Sequence, residues 1–293
     1  MMLGVLIGVT LITFIISHIV PGDPAQMMAG PRASAEAVAQ LRAQMGLDRP
    51  LYVQYLSFAW DLLHGDLGTS VLTRRPVLPE LLSYFPATIE LMLVSLIQSV
   101  ALGVGLGVIA ALFADRWPDH LLRIFAIVGV SAPRFVTALL LMLFFDGQLD
   151  ILPGGGRLDP AIAPPPEVTG LLLVDSLLAG DLTAFWDAIL HLILPTLTLA
   201  LSTAGGFMRL TRTSMLEALG QDYIRTARAM GLRTSTIVVR HALRNALLPL
   251  VTVIGMAVGG LLFGSVVVET IFAWPGAGSY VLNATFALDF PVI

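Results

Sequence analysis

Residues 209–245 read R-L-T-R-T-S-M-L-E-A-L-G-Q-D-Y-I-R-T-A-R-A-M-G-L-R-T-S-T-I-V-V-R-H-A-L-R-N and lie between two long apolar segments. The stretch carries seven arginines and only two acidic residues, Glu217 and Asp222. Positively charged loops between membrane spans are retained on the cytoplasmic side of the bilayer. We therefore expect a cytoplasmic loop with a membrane-spanning helix on either side. The arginines are Arg209, Arg212, Arg225, Arg228, Arg233, Arg240 and Arg244.

This loop contains helix signals of its own. Asp222 is predicted to cap the N-terminus of a helix from about Tyr223 to Met230, and Gly231 is predicted to be its C′ residue. A second helix is predicted to start at a Ser235 cap, with Arg240 and Arg244 one turn apart on one face. Helical periodicity divides the first helix into two stripes. One stripe holds Tyr223, Ala227 and Met230, and the other holds Arg225 and Arg228.

Two interpretations of the loop follow from the residues alone. It is either a solvated basic loop that only sets the membrane topology, or a short helix presented to a cytoplasmic partner. Recognition of the second kind places a helix in a groove of another protein.

The composition indicates a membrane protein. Of 293 residues, 56% are hydrophobic and 12% are charged, whereas soluble domains average roughly 25% charged residues. The net charge of −4 argues against nucleic acid as a partner. Because the chain has no cysteine, it cannot form disulfides or thiolate metal sites.

All sixteen basic residues are arginine. A phosphate-binding Walker loop and a Schiff-base enzyme both require lysine, so neither chemistry belongs to this chain. We expect no bound cofactor, and any ATP and Mg²⁺ that drive the protein must be bound by another chain. We also expect no metal site, because the five histidines are scattered and His191 is interpreted as structural.

Hydropathy predicts an all-α, multi-pass membrane protein with five visible spans and its N-terminus in the cytoplasm. A cleaved signal peptide is the alternative for the first span, but no basic leader or cleavage site is visible before Pro21. One membrane domain would cover 1–293, with extracytoplasmic segments 21–87 and 146–187. The predicted spans are about 1–20, 88–114, 121–145, 188–208 and 246–272.

Glycines in the spans are predicted to allow close helix packing. Gly103 and Gly107 form one G-x-x-x-G pair in the second span, for which packing within the bundle is the expected role. In the fifth span, such a face suits either packing within the chain or a seam with a second membrane subunit. The glycines of the fifth span are Gly255, Gly259, Gly260 and Gly264.

The third span contains a charged residue beside a proline, Pro133-Arg134. A charge inside a bilayer costs free energy, and the proline frees a backbone carbonyl and bends the helix. Arg134 therefore either faces a substrate pathway and meets a carboxylate, or serves a structural pair near an interface.

The motifs R-T-A-R-A-M-G-L, at 225–232, and R-H-A-L-R-N-A-L-L-P, at 240–249, resemble those of membrane permeases of bacterial ABC importers of the dipeptide/oligopeptide type. V-V-V-E-T-I-F-A-W-P-G, at 266–276, resembles the same family. The resemblance implies a type I ABC importer transmembrane domain in the bacterial inner membrane. It further implies that the family's cytoplasmic EAA loop docks on an ATPase subunit. In this chain the coupling residues would be Asp222, Tyr223, Arg225, Thr226, Ala227, Arg228 and Gly231.

The same resemblance implies a set of partners. These are a second related permease, two ATPase subunits, an extracytoplasmic solute-binding protein and the lipid bilayer. The family has a sixth span that begins near the last residue of this sequence, so we expect a truncated or incompletely represented subunit. Glutathione, nickel chelates or sugars are alternative solutes for the same machinery, and a secondary transporter or a membrane enzyme is a remote alternative.

Overall fold

A computed structural model describes residues 2–19, 24–30 and 32–293, which form helices and loops without a β-strand. The predicted all-α fold is confirmed. The helices are α1 (Met2–Ile19), α2 (Pro24–Ala29), α3 (Ala35–Gln44), α4 (Leu51–Leu63), α5 (Val77–Leu112), α6 (Trp117–Ser131), α7 (Arg134–Met142, continued by a π-helical turn Leu143–Gln148), α8 (Leu172–Ala179), α9 (Leu182–Leu219), α10 (Asp222–Ala229), α11 (Thr234–Thr236, continued by a π-helical turn Ile237–Leu243), α12 (Arg244–Ala246), α13 (Leu248–Ile271) and α14 (Ala277–Phe286).

Within these ranges, α5, α9 and α13 are long and apolar enough to cross a membrane, and the bent pair α6–α7 makes a fourth crossing if it is one span. These helices overlap the second to fifth predicted spans. The first predicted span falls on α1, which is apolar over Gly4–Ile15. Residues 1 and 20 of that predicted span, together with residues 21–23, lie outside the described residues.

Helix α9 is longer than the sequence predicts. It starts at Leu182 and ends at Leu219, so residues 209–219 of the predicted loop are helical. No proline or glycine interrupts these residues, and Gly220 takes the C-cap position. The basic loop therefore begins only after Gly220.

The predicted bend at Pro133 is confirmed. Helix α6 ends at Ser131, α7 starts at Arg134, and the two axes differ by 106°. Proline disfavours helical backbone in the residue before it, and Ala132 is extended, with ψ of 127°. Arg134 is consequently the first residue of a new helix inside the predicted third span.

The described residues form two compact units, of which the larger comprises 86–279. Helix α9 is the central element of this unit. In its most apolar stretch of 18 residues, 56% is buried, compared with 17% for the corresponding stretch of α13. Helix α13 therefore presents most of its apolar surface outwards. The main core of this unit includes Leu91, Leu192, Leu194, Leu199, Leu261, Phe272 and Trp274.

Several buried hydroxyl side chains inside the long helices are satisfied by their own helix. Ser95 Oγ donates to the Leu91 carbonyl (2.6 Å), and Thr196 Oγ1 donates to the Leu192 carbonyl (2.5 Å). Such bonds to the preceding turn let polar residues occupy apolar spans without an unsatisfied donor. Helix α9 also continues through Pro195.

The smaller unit comprises 2–85 and 280–293. The Asp289 carboxylate accepts hydrogen bonds from Ser70 Oγ (2.5 Å), Val71 N (2.9 Å) and Leu72 N (3.1 Å). Tyr280 donates to Glu80 at 3.0 Å, and burial together with this bond raises the pKa of the phenol. Residues 70–72 and Asp289 thus meet, although they lie more than 200 positions apart in the sequence.

Candidate functional site

Helix α10 occupies the position of the predicted coupling helix. Its N-cap is Gln221, so the prediction that Asp222 is the cap is wrong by one residue, and Asp222 is the first helical residue. The C′ prediction is confirmed, because Met230 is the C-cap and Gly231 follows with φ of +74°. A left-handed backbone of this kind favours glycine over any residue with a Cβ.

Two buried side chains, Ile224 and Ala227, anchor α10 to the protein. They join an apolar cluster formed by α9 and the segment after α10. The predicted stripe is not the buried one, because Tyr223 and Met230 are 39% and 67% exposed. Ile224 was missed, although its spacing from Ala227 is the i, i+3 signal of a buried face. The other cluster members are Ala111, Met215, Ala218, Ile237, Val238, Ala242 and Ala246.

The outer face of α10 is polar and basic. Arg225, Thr226 and Arg228 are exposed. Arg225 pairs with Asp222 at 3.1 Å, an exposed contact that contributes little stability. No ion pair to Arg228 is found in the described part of the chain. The face therefore presents positive charge to the outside of the molecule.

A cleft of about 260 Å³ lies beside α10. Asn245 Nδ2 donates to Tyr223 Oη across 3.0 Å at this cleft, which joins α10 to the segment that leads into α13. The predicted Ser235 cap is wrong: Arg233 is the N-cap, and Ser235 lies within α11. The cleft is lined by Ser214, Glu217, Ala218, Gln221, Tyr223, Asn245 and Pro249.

Arg212, predicted as part of the basic loop, is committed to a buried ion pair. Its Nε and Nη2 donate to Asp119 Oδ1 and Oδ2 at 2.7 and 2.6 Å, and the Asp119 side chain is 0% exposed. The backbone N–H of Asp115 adds a third bond to Asp119 at 3.0 Å. The pair fixes the start of α6 to the end of α9, next to α10. Sequence spacing gave no signal for a contact between residues so far apart.

Arg134 lies between three helices of the larger unit. Its Nε donates to Ser202 Oγ of α9 at 3.2 Å, and its guanidinium passes Gly264 of α13, where a Cβ would collide with Nη1. Pro133 is the N-cap of α7 and forms no side-chain cap bond. The arginine is half-buried, and no carboxylate within the described ranges pairs with it.

The opposite end of the larger unit is held by buried acids. Glu90 accepts from Arg157 Nη2 at 2.6 Å and from Leu173 N at 2.7 Å. Glu269, which is fully buried, accepts from Thr88 Oγ1 (2.9 Å) and Ser279 N (2.8 Å). Both acids thus have partners on other elements, which sequence spacing alone does not reveal.

Asp175 organises the loop before α8. Burial alone would raise the pKa of its carboxyl, but hydrogen bonds from Thr169 Oγ1 and from the N–H groups of Thr169, Val168 and Gly170 outweigh burial and lower the pKa. The carboxylate thus ties residues 168–170 to the helix.

Some of the glycines predicted for packing lie against a neighbouring helix, and others lie on an open surface. Gly103 and Gly107 face α9, and a Cβ on Gly107 would lie 2.6 Å from Thr211 Cβ. In α13, a Cβ on Gly255, Gly259 or Gly260 would meet nothing within 4 Å. That face is therefore not used for packing among the described residues, and the seam with a second permease stays a prediction.

His191 has the local partners of a structural histidine. Its Nδ1 lies 3.0 Å from the Asp187 carbonyl and 3.2 Å from Asp187 Oδ2. This carboxylate lies four residues before the histidine, one turn away on the same helix. No group of three or more His, Asp or Glu that could hold a metal occurs among the residues described here.

Apolar spans, an exposed basic helix and a charged residue at the break between α6 and α7 are features of a multi-pass α-helical membrane protein. The chain belongs to the family described as binding-protein-dependent transport system inner membrane component, whose profile matches residues 103–293. The N-terminal profile of the same group of membrane components matches residues 2–92.

Similar proteins cover nearly the whole chain. A probable D,D-dipeptide transport system permease protein of Escherichia coli is 53% identical over 289 residues, which are 99% of this chain and 85% of that protein. A dipeptide transport system permease protein of Alkalihalophilus pseudofirmus is 42% identical over 293 residues, 100% of this chain and 88% of the relative. A glutathione transport system permease protein of Salmonella typhimurium is 39% identical over 288 residues, which are 98% of this chain and 85% of that protein. The resemblance to dipeptide permeases is confirmed.

Proposed function

We propose that this chain forms half of the translocation pathway of an ATP-driven importer for di- and oligopeptides, with α10 docked in a groove of a separate ATPase subunit. The observation that carries the proposal is the construction of α10. Two buried side chains, Ile224 and Ala227, anchor the helix, while its basic face stays exposed. A helix held in this way can enter a groove on a partner without unfolding its own support.

The peptide substrate is supported by the relatives. Two of them are named for dipeptides and one for glutathione, which is itself a peptide. Peptide import therefore fits the resemblance better than the alternative of nickel chelates or sugars.

The partners follow from the same proposal. An extracytoplasmic solute-binding protein delivers the peptide, and a second related permease completes the pathway beside the open face of α13. Two ATPase subunits bind ATP and Mg²⁺, because this chain has no lysine for a Walker loop. The N-terminus and α10 lie in the cytoplasm, as the arginine-rich segment around α10 requires.

The geometry suggests how ATP binding reaches the membrane. Closure of the ATPase subunits would move α10, the apolar cluster around Ile224 and Ala227 would pass that displacement to α9, and the ion pair between Arg212 and Asp119 would carry it on to α6. The spans then move as rigid bodies and expose the pathway alternately to the two sides.

Replacing Gly231 with valine tests the coupling helix. A β-branched residue cannot readily adopt φ of +74°, so the end of α10 should shift. In a reconstituted complex, we expect peptide-dependent ATP hydrolysis and uptake to be uncoupled while membrane insertion is intact. Unchanged coupling in Gly231→Val would contradict the assignment.

Gly180 provides the matched control. It also has a left-handed backbone (φ +69°) with nothing within 4 Å of a Cβ, but it ends α8 in the segment assigned to the outside. Gly180→Val should keep coupling. An equal loss in both variants would indicate general strain rather than a specific role of α10.

A further inference from the structure

Arg134 is charged, and it lies inside the break of a membrane span. Helix α6 ends at Ser131 and α7 starts at Arg134, at an angle of 106°. Ionisable groups inside a membrane are expensive and mark pathways for solutes or ions unless a structural partner neutralises them. The question is therefore which group compensates this guanidinium.

Two other arginines of the same unit show what structural compensation looks like. Arg157 lies 2.6 Å from a Glu90 carboxylate oxygen, and Arg212 lies 2.6 Å from an Asp119 oxygen. Arg134 has only the neutral hydroxyl of Ser202, 3.2 Å from its Nε. In the part of the chain that the structure describes, its Nη1 and Nη2 have no hydrogen-bond acceptor.

Contacts at Nε and beside Nη1 fix the orientation of the Arg134 guanidinium, but they do not bury its two terminal nitrogens completely. The Ser202 bond orients the guanidinium through Nε, and Gly264 provides the space that Nη1 occupies. One turn earlier on the same stripe of α13, a Cβ on Gly260 would meet nothing within 4 Å. An open surface therefore lies next to the end of Arg134 that has no partner.

We propose that Arg134 is a binding site for the C-terminal carboxylate of the transported peptide, held by Nη1 and Nη2. This inference rests on the proposed peptide import and specifies the group that the pathway recognises. The planar guanidinium can bind both carboxylate oxygens at once, which a lysine ammonium cannot do in the same geometry. Ser202 is then a positioning residue, because it aims the guanidinium and need not touch the peptide.

The test compares peptides that differ only in this charge. Uptake of L,L- and D,D-dialanine and of their C-terminal amides would be measured with the reconstituted complex, for the wild type, Arg134→Gln and Arg134→Lys. We expect Arg134→Gln to raise KM for the free-carboxyl peptides by roughly tenfold or more, as for loss of a charged hydrogen bond. Uptake of the amides should change little, and Arg134→Lys should lie between.

Arg116→Gln is the control for removal of one positive charge, because Arg116 is exposed in the loop before α6 and forms no ion pair among the described residues. It should not change the ratio of acid to amide uptake.

The outcomes separate the two proposals. If the wild type imports the peptides and Arg134→Gln lowers acid and amide equally, Arg134 is structural or pairs with an acid of the second permease, and the carboxylate site is overturned. If the wild type imports no peptide, the proposed function itself fails, and the carboxylate site fails with it.

Discussion

Asp119 and Arg212 show how a buried charge is compensated by a partner of opposite charge in the larger unit. Asp119 is fully buried and accepts two short hydrogen bonds from the Arg212 guanidinium and one from the Asp115 N–H. The partly exposed Arg123 lies 3.8 Å away from its carboxylate. When one partner of a buried pair is removed, the other remains buried and unpaired, which costs more than the pair contributes.

We therefore predict that Asp119→Asn and Arg212→Gln each destabilise the protein by roughly 3–5 kcal/mol. The double variant should lose less than the sum of the two, because it leaves no unpaired charge. Thermal unfolding of the purified complex measures all three. Strictly additive losses would mean that the residues act independently.

Asp175 gives a prediction for pH. Its pKa is lowered in the folded state, so its contribution to stability is full above the unfolded pKa and is lost as the pH falls through the folded value. Hydrogen exchange of the amides of 168–170, corrected for intrinsic rates, should lose protection below about pH 4. Asp175→Asn should already lack that protection at neutral pH. Equal protection in both proteins would disprove the role of the carboxylate.

At the residue scale, sequence reasoning succeeded where the signal was local. Gly231 was identifiable because a left-handed C′ residue follows the helix end directly. The partner of Arg212 was not identifiable, because α6 and α9 are brought together only by the fold. The same holds for Glu90 and Glu269, whose partners lie on other elements.

At the scale of elements, the seam between α5 and α9 depends on small residues. A Cβ on Gly107 would lie 2.8 Å from the Met208 carbonyl as well as 2.6 Å from Thr211 Cβ. Gly107→Val should force the helices apart and cost about 1–3 kcal/mol or more, in the range of overpacked cores.

Gly105 is the control on the same helix, since nothing lies within 4 Å of a Cβ there. We expect Gly105→Val to leave the unfolding temperature almost unchanged, while Gly107→Val lowers it. Similar shifts in both variants would indicate an effect of helix propensity rather than of the seam.

Element types were predictable from hydropathy, but their ends were not. The bend at Pro133 followed from covalent geometry. The extension of α9 to Leu219 was missed because charged residues were interpreted as loop, whereas a helix can project beyond the bilayer while its charges stay exposed. The cap at Asp222 was wrong because Gln221, without a side-chain bond, already has the extended backbone of a cap.

At the scale of the whole molecule, the proposed topology can be tested by labelling, and the absence of native cysteine makes every introduced thiol unique. Thr226→Cys, on the exposed face of α10, should react with a membrane-impermeant maleimide only from the cytoplasmic side. Val168→Cys, 70% exposed in the segment assigned to the outside, should react only from the other side. Labelling of both from the same side would overturn the topology.

Polar contacts join the helices of the larger unit at both of its ends. The ion pair of Asp119 and Arg212 lies at one end, and the hydrogen-bonded carboxylates of Glu90 and Glu269 lie at the other. Because contacts hold the helices at both ends, we expect the larger unit to move as one body rather than by sliding its helices past one another.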